Sequence, residues 1–317
     1  MTALGFGHAD APADATKARL MRLATVVAMS AAVVMVAIKG AAYVTTGSVA
    51  ILSSLADSAL DLMASALNFF AVRHALTPAD AEHRFGHGKA EPLSALGQSA
   101  FVAGSAVLLA AEAASRFRSP VPVQQGDVGL AVMVAATVIT LLLVTFQKYV
   151  VRKTGSRAIS ADSLHYTGDV LMNLSVMAAI FASTTLGFAW ADPAFGAGIA
   201  VFLLVNAARI AYGAVGELMD QEMPKADRDR IVAIVRQNPM VKNVHEMRTR
   251  SSGVQSFIQM HIVLDKSLTL LEAHRISDDV ENAVLAAYPG ADVIIHQDPE
   301  GVTEIHRPVG GGLKASP

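Results

Sequence analysis

The sequence predicts a membrane-embedded all-α domain of six helices followed by a small cytoplasmic α+β domain, and three observations lead there. Hydrophobic residues make up 53% of the chain against 16% charged. With a mean hydropathy of +0.43, this is too apolar for an ordinary soluble domain. The apolar residues are gathered into runs of about 20, the length that crosses a hydrocarbon core of roughly 30 Å. From about Gly216 onward, in contrast, the charge density is that of a soluble domain.

The N-terminal segment, residues 1–17, is expected to be disordered, and it lacks the basic n-region of a cleaved secretory signal. Six spans follow at approximately Leu20 to Val44, Val49 to Val72, Pro92 to Ser115, Val128 to Phe146, Ser160 to Phe188 and Pro193 to Tyr212. Polar or Gly/Pro stretches such as Thr45-Thr46-Gly47-Ser48, Ser119-Pro120-Val121-Pro122 and Asp192-Pro193 separate them as turns. Basic residues flank the spans on one side: Lys17, Arg19 and Arg22 before the first, Arg73, Arg84 and Lys89 after the second, and Lys148, Arg152, Lys153 and Arg157 after the fourth. The positive-inside rule then puts both termini in the cytoplasm, with Arg116 and Arg118 as a local exception assigned to snorkelling. The transmembrane domain is drawn at 18–215 and the cytoplasmic domain at 216–306. The tail, 307–317, has no periodicity and is expected to be disordered.

In the cytoplasmic domain KADRDRIVAIVRQ has the pattern of an amphipathic helix. VKNVHEMRTRSS and VQSFIQMHIVLD read as strands, LLEAHRISDDVENAVLAAY as a second helix and ADVIIHQD as a last strand. The order α-β-β-α-β is that of a ferredoxin-like, metallochaperone-like sandwich.

The chemistry concentrates in two apolar spans. Asp57 and Asp61 are four residues apart in the second, as are His165 and Asp169 in the fifth, so each pair shares a helix face. A charge near the bilayer centre costs roughly 2.5 to 3.5 kcal/mol on insertion scales, so such residues mark ion pathways far more often than they serve as interhelical glue. Three carboxylates and an imidazole suit a tetrahedral divalent metal. Asp162, one turn before His165, fits a vestibule position, a partner for that imidazole or a helix cap.

The cytoplasmic loop PADAEHRFGHGKAE spaces Asp80, His83 and His87 for a second metal site, with His74 read as interfacial. On the predicted strands and second helix lie His245, His261, His274, His296 and Asp298, and strand alternation points His296 and Asp298 to one face. Lys89 and Asp220 are opposite charges at the cytoplasmic side that could pair, and Lys39, inside an apolar run, is read as snorkelling to the far interface. Gly40, Gly97 and Gly104 are read as sites of close helix packing. The methionines are hydrophobic packing, and His8 and His306 fall in expected disorder. With no cysteine, any metal is held by N and O donors, which suits Zn²⁺, Fe²⁺, Co²⁺, Mn²⁺ or Cd²⁺ better than Cu(I). A net charge of −2 gives no reason to expect nucleic acid.

Taken together, Asp-x-x-x-Asp in the second span, His-x-x-x-Asp in the fifth, the loop HRFGHGKAE and the segments HEMRTRSSG, FIQMHIVLD and VIIHQDP resemble the cation diffusion facilitator family, in particular its bacterial zinc and iron exporters. The resemblance runs from about Ala18 to Pro299. It implies a homodimer in the bacterial inner membrane that exchanges a divalent cation, Zn²⁺ first and Cd²⁺, Fe²⁺ or Co²⁺ as alternatives, for protons by alternating access. It implies a transport site at Asp57, Asp61, His165 and Asp169 and a loop site at Asp80, His83 and His87. It further implies a binuclear zinc site at His245, His261, His296 and Asp298, with Gln297 beside it, His274 as a further member and Lys89 with Asp220 as an interlocking charge pair. A membrane metalloenzyme is disfavoured because no HExxH, GxSxG or separate nucleophile and base appears. A metal sensor that does not transport is the remaining alternative, and intramembrane aspartates argue against a mere anchor.

Overall fold

The computed structural model describes residues 12–47, 49–118, 127–186, 191–253 and 255–302. Six long helices come first: α1 (Pro12–Thr46), α2 (Val49–Ala75), α3 (Ala90–Arg118), α4 (Asp127–Thr154), α5 (Arg157–Leu186) and α6 (Ala191–Leu218). At about 1.5 Å per residue even the 27-residue α2 extends about 40 Å, more than a hydrocarbon core. Among the described residues five helices are long and apolar enough to cross a membrane, α1, α2, α3, α4 and α6. The sixth expected span, α5, is 30 residues long and is not in that set.

Two expectations need correction. Helix α1 begins at Pro12, so residues 12–17 are helical rather than disordered. Proline's fixed φ suits a first helical turn, and the alanines that follow favour propagation. The earlier residues, the tail from 303, Ser48, residues 119–126 and Phe188 lie outside the described residues. The second correction concerns the glycines. A Cβ placed at Gly40, Gly97 or Gly104 would meet no described atom within 4 Å, so none of them mediates close packing here. Close approach occurs at Gly168, where a Cβ would come within 3.1 Å of Leu203, and at Gly196 against Ala113 and Leu109.

Helix α5 is the hub of this unit. Ala158 and Ile159 pack with Met21 and Ala24 of α1, Val72 of α2 and Val150 of α4. On the other side Leu164 packs with Val102 and Ala106 of α3 and Leu203 and Ala207 of α6. A helix held on both sides has a fixed rotation, and that aims the side chains between its apolar contacts.

The second unit contains α7 (Lys225–Val235), β1 (Asn243–Ser252), β2 (Gln255–Leu264), α8 (Leu270–Ala287) and β3 (Asp292–Pro299), in the expected order. The division between the two units falls after Gln221, with Ser251–Gln255 grouped with the first. The sheet has the order β1-β2-β3, and β3 runs parallel to β2 with His261 opposite His296. Alternation sends Ile258, Met260, Ile262 and Leu264 into a core shared with Ile231, Val235, Val280 and Val284. Helix α8 starts at a capping box, Thr269 receiving the Glu272 N–H while the Glu272 carboxylate accepts from the Thr269 N–H.

Candidate metal centres

The first centre lies among the helices. One ligand atom each from Asp61, His165 and Asp169 falls within a common 4.8 Å. His165 Nε2 is 2.8 Å from Asp61 Oδ1, a contact across 104 residues of sequence. A cavity of about 400 Å³ opens onto this group and is also lined by Asp57 and Lys39. Asp57 shares the cavity but stands outside the converging donors, one helical turn back along α2.

Two surrounding residues differ from their sequence reading. Lys39 does not reach for an interface: its ammonium donates to Ser58 Oγ at 2.7 Å and to the Ser54 carbonyl at 3.2 Å, inside the cavity. Asp162 is 1% exposed and accepts from Gln147 Nε2 at 2.6 Å, so it is neither a solvated vestibule group nor an end cap. The hydrogen-bond partner of the His165 imidazole is Asp61. Tyr166 is a residue that sequence reasoning missed, yet its hydroxyl lies 2.7 Å from buried Ser65 Oγ and ties α5 to α2 beside the site. A tyrosine in an apolar span carries no spacing signal that would reveal this contact.

The second centre is the loop between α2 and α3, where Asp80, His83 and His87 offer ligand atoms within 4.8 Å of one another. Both oxygens of Asp80 take part, Oδ1 at 3.3 Å from His83 Nδ1 and Oδ2 at 3.3 Å from His87 Nε2. The His83 N–H and then the Glu82 N–H donate to this carboxylate and hold it below the usual carboxylate range. Gly86 turns the loop at φ 74°, a conformation that costs a side chain and suits glycine. His74 is not merely interfacial, because its ring stacks edge-on against His87 at 4.5 Å.

The third centre is on the sheet of the second unit. His245 Nε2 and His261 Nδ1 each lie 3.0 Å from Asp298 Oδ2, and His296 Nε2 lies 3.1 Å from Oδ1. The parallel register explains the meeting, since His261 and His296 are directly paired and Asp298 is two residues along on the same face. One carboxylate thus spans three imidazoles, the arrangement a bridging ligand between two metal ions requires. The donor set of nitrogen and carboxylate oxygen with no thiolate fits zinc. Glu246 is an acidic neighbour that sequence reasoning missed, with Oε2 3.9 Å from His261 Nε2. Its only signal is adjacency to His245. His274 does not join the group and instead faces Asp278 on α8 at 3.6 Å. The Gln297 amide is turned away to donate to Ser277 Oγ at 2.7 Å.

Charge pairs mark the helix ends. Lys89 Nζ donates to Asp220 Oδ1 at 2.9 Å and to the Leu218 carbonyl at 3.3 Å. Arg157 meets Glu217 at 2.5 Å. Arg116 pairs with Glu112 one turn earlier at 2.8 Å, which supplies the reason for its position that snorkelling alone lacks.

Comparison with known proteins agrees with this layout. Residues 25–219 match the model of the cation efflux transmembrane domain, and residues 223–300 match that of the cation efflux protein cytoplasmic domain. The cation-efflux pump FieF of Yersinia pestis (strain Pestoides F) is 46% identical over 294 residues, covering 93% of this chain and 98% of the relative. FieF of Yersinia pseudotuberculosis serotype O:3 (strain YPIII) gives the same identity and coverage. Among solved structures, the metal-bound C-terminal domain of the CzcD transporter from Thermotoga maritima is 30% identical, covering 26% of this chain and all of that one at a TM-score of 0.25. With both of its domains matched in order and nearly its whole length aligned to efflux pumps, the chain belongs to the cation efflux family.

Proposed function

We propose that this protein exports divalent metal cations, Zn²⁺ first with Fe²⁺, Cd²⁺ and Co²⁺ as alternatives, across the bacterial inner membrane in exchange for protons. The observation that carries the reading is the convergence of Asp61, His165 and Asp169 on one cavity among long apolar helices. Relatives named as cation-efflux pumps over nearly the full length support it. They also favour a transporter over a metalloenzyme.

Carboxylate and imidazole ligands bind a metal ion only when deprotonated, so loading the site releases protons and protonating it expels the ion. Zn²⁺ arriving from the cytoplasm takes the Asp61, His165 and Asp169 donors, and Asp57 completes four ligands by a side-chain rotation about its place on α2. With the cavity opened to the other side, protons return to the same atoms. Alternating access then needs α5 to shift against α6, and the small residue at their contact, Gly168 against Leu203, supports such a movement. The working unit is a homodimer with both termini cytoplasmic, Lys89 with Asp220 interlocking the helix ends. The loop donors Asp80, His83 and His87 form a second ion site, and the His245, His261, His296 and Asp298 group forms a binuclear structural or regulatory site.

The test is Zn²⁺ flux into proteoliposomes holding a metal dye and a pH dye, with and without an imposed pH gradient. Zinc movement coupled to opposite proton movement is expected, and Asp61→Ala abolishes both while the protein stays folded and dimeric. Normal flux through Asp61→Ala would sink the site assignment. No flux of Zn²⁺, Cd²⁺ or Fe²⁺ through correctly inserted wild-type protein would favour a sensor.

A further inference from the structure

Lys39 is the cationic residue of the cavity that the donor set above leaves unused. Three carboxylates line the same space, Asp57, Asp61 and Asp169. A divalent ion neutralises two negative charges and leaves one. An uncompensated charge among membrane helices is expensive, and each conformation that carries it through the bilayer bears that cost. Lys39 is held where it can supply the missing positive charge, its Nζ pinned by Ser58 Oγ at 2.7 Å and the Ser54 carbonyl at 3.2 Å. Ser58 is 1% exposed and follows Asp57 directly, so the ammonium is fixed beside the acidic face of α2 rather than swinging in solvent. Both of its contacts are to neutral acceptors, so the ammonium takes up none of the Asp61 and Asp169 oxygens.

We propose that Lys39 is a tethered cation that makes the cavity neutral when it holds a divalent ion, and so sets both how tightly that ion is held and how readily it leaves. This rests on the transport reading of the cavity. A lysine that repels the cargo weakens ground-state binding and speeds release, whereas its loss leaves a net negative site that traps the ion. With an effective dielectric of about 20, a unit charge within a cavity of this kind changes divalent affinity by at least about tenfold.

The experiment is Zn²⁺ flux by full-length protein in proteoliposomes, with KM and maximal rate determined for wild type, Lys39→Met and Lys39→Arg. Lys39→Met should lower KM and maximal rate together, each by about tenfold. Lys39→Arg, which keeps the charge, should restore a KM near wild type. If Lys39→Met does not insert, Lys39→Gln takes its place, because the amide still donates to Ser58 without the charge. Unchanged KM and rate on loss of the charge would overturn the proposal. So would an equal loss of rate in the Met and Arg variants with KM raised, since that pattern belongs to a purely structural tether. Absence of flux in wild type would instead overturn the transport reading beneath it.

Discussion

Replacing Asp298 with asparagine should separate metal-dependent from intrinsic stability in the second unit. Both oxygens of this residue are engaged, Oδ2 toward His245 and His261 at 3.0 Å and Oδ1 toward His296 at 3.1 Å. Asparagine keeps the shape but turns one oxygen into an amide donor and removes the charge. It can therefore serve His245 and His261 or His296 as a metal-bridging group, but not both. In the proposed binuclear site one of the two metal positions would lose its carboxylate outright, and affinity there should fall at least about a hundredfold, or roughly 2.7 kcal/mol. A ligand at a hundred times its Kd stabilises the folded state by about 2.7 kcal/mol, and that is the contribution at stake.

The second unit carries its own core of Ile231, Ile258, Ile262, Val280 and Val284, so residues from Glu222 onward can be produced alone and melted with and without Zn²⁺. For a domain of 60–100 residues each kcal/mol moves Tm by about 4–8 °C, so the zinc-dependent rise lost in Asp298→Asn should be on the order of 10 °C. Without metal the two proteins should melt much closer together, because the imidazole contacts alone are partly exposed. A variant whose zinc-dependent rise matches wild type would refute the view that Asp298 is the bridge. Zinc content per chain, measured on the same samples, should drop from two ions toward one.

Three further outcomes follow from the packing. Ile258→Ala, at a fully buried β2 position, should cost about 2–5 kcal/mol in denaturant unfolding of the second unit, since transfer and cavity terms add there. Tyr288 donates to the Asp227 carbonyl and carboxylate at 3.2 Å, and burial, with Asp227 adding to it, holds its phenol above the ordinary value of about 10. Because the folded value is the higher one, this contribution is complete below about pH 10 and disappears as pH rises through the folded value. Tyr288→Phe should cost about 1 kcal/mol at neutral pH and flatten the alkaline fall of Tm, and an alkaline melt identical to wild type would speak against it. Gly168→Val should clash with Leu203, so a large loss of Zn²⁺ flux is expected with metal binding retained, and partial recovery in Gly168→Val/Leu203→Ala would tie the loss to that contact.

Spacing and composition are legible in this sequence, and helix rotation much less so. Donors four residues apart must share a face whatever the helix packs against, which is why Asp57 pairs with Asp61, and His165 with Asp169, on spacing alone. Strand alternation does the same for His296 and Asp298. His261 requires the β2–β3 register, which depends on the length of the α8 crossover and is not written in either strand alone. His274 shows the limit from the other side: its helix turns it toward Asp278, and no local pattern separates that rotation from one facing the sheet.

Lys39 and the glycines make the same point at the first centre. Helix α1 is apolar nearly all round, so its sequence has no dominant stripe to say which face meets α2. Snorkelling is the cheaper reading for a lone lysine on such a helix. What overturns it is tertiary: Ser54 and Ser58 sit one turn apart on α2, and together they offer a carbonyl and a hydroxyl to a side chain coming from α1. The same serines carry little signal in sequence, since small hydroxyl residues are common in apolar spans. Their meaning appears only once Asp57 and Asp61 are seen lining the same cavity as the lysine, where its ammonium faces the carboxylates that the proposed transport site gives to a divalent ion. On that proposal the cavity is shared between a cation that stays and one that leaves, and the residue that stays is the one its own sequence neighbourhood describes least.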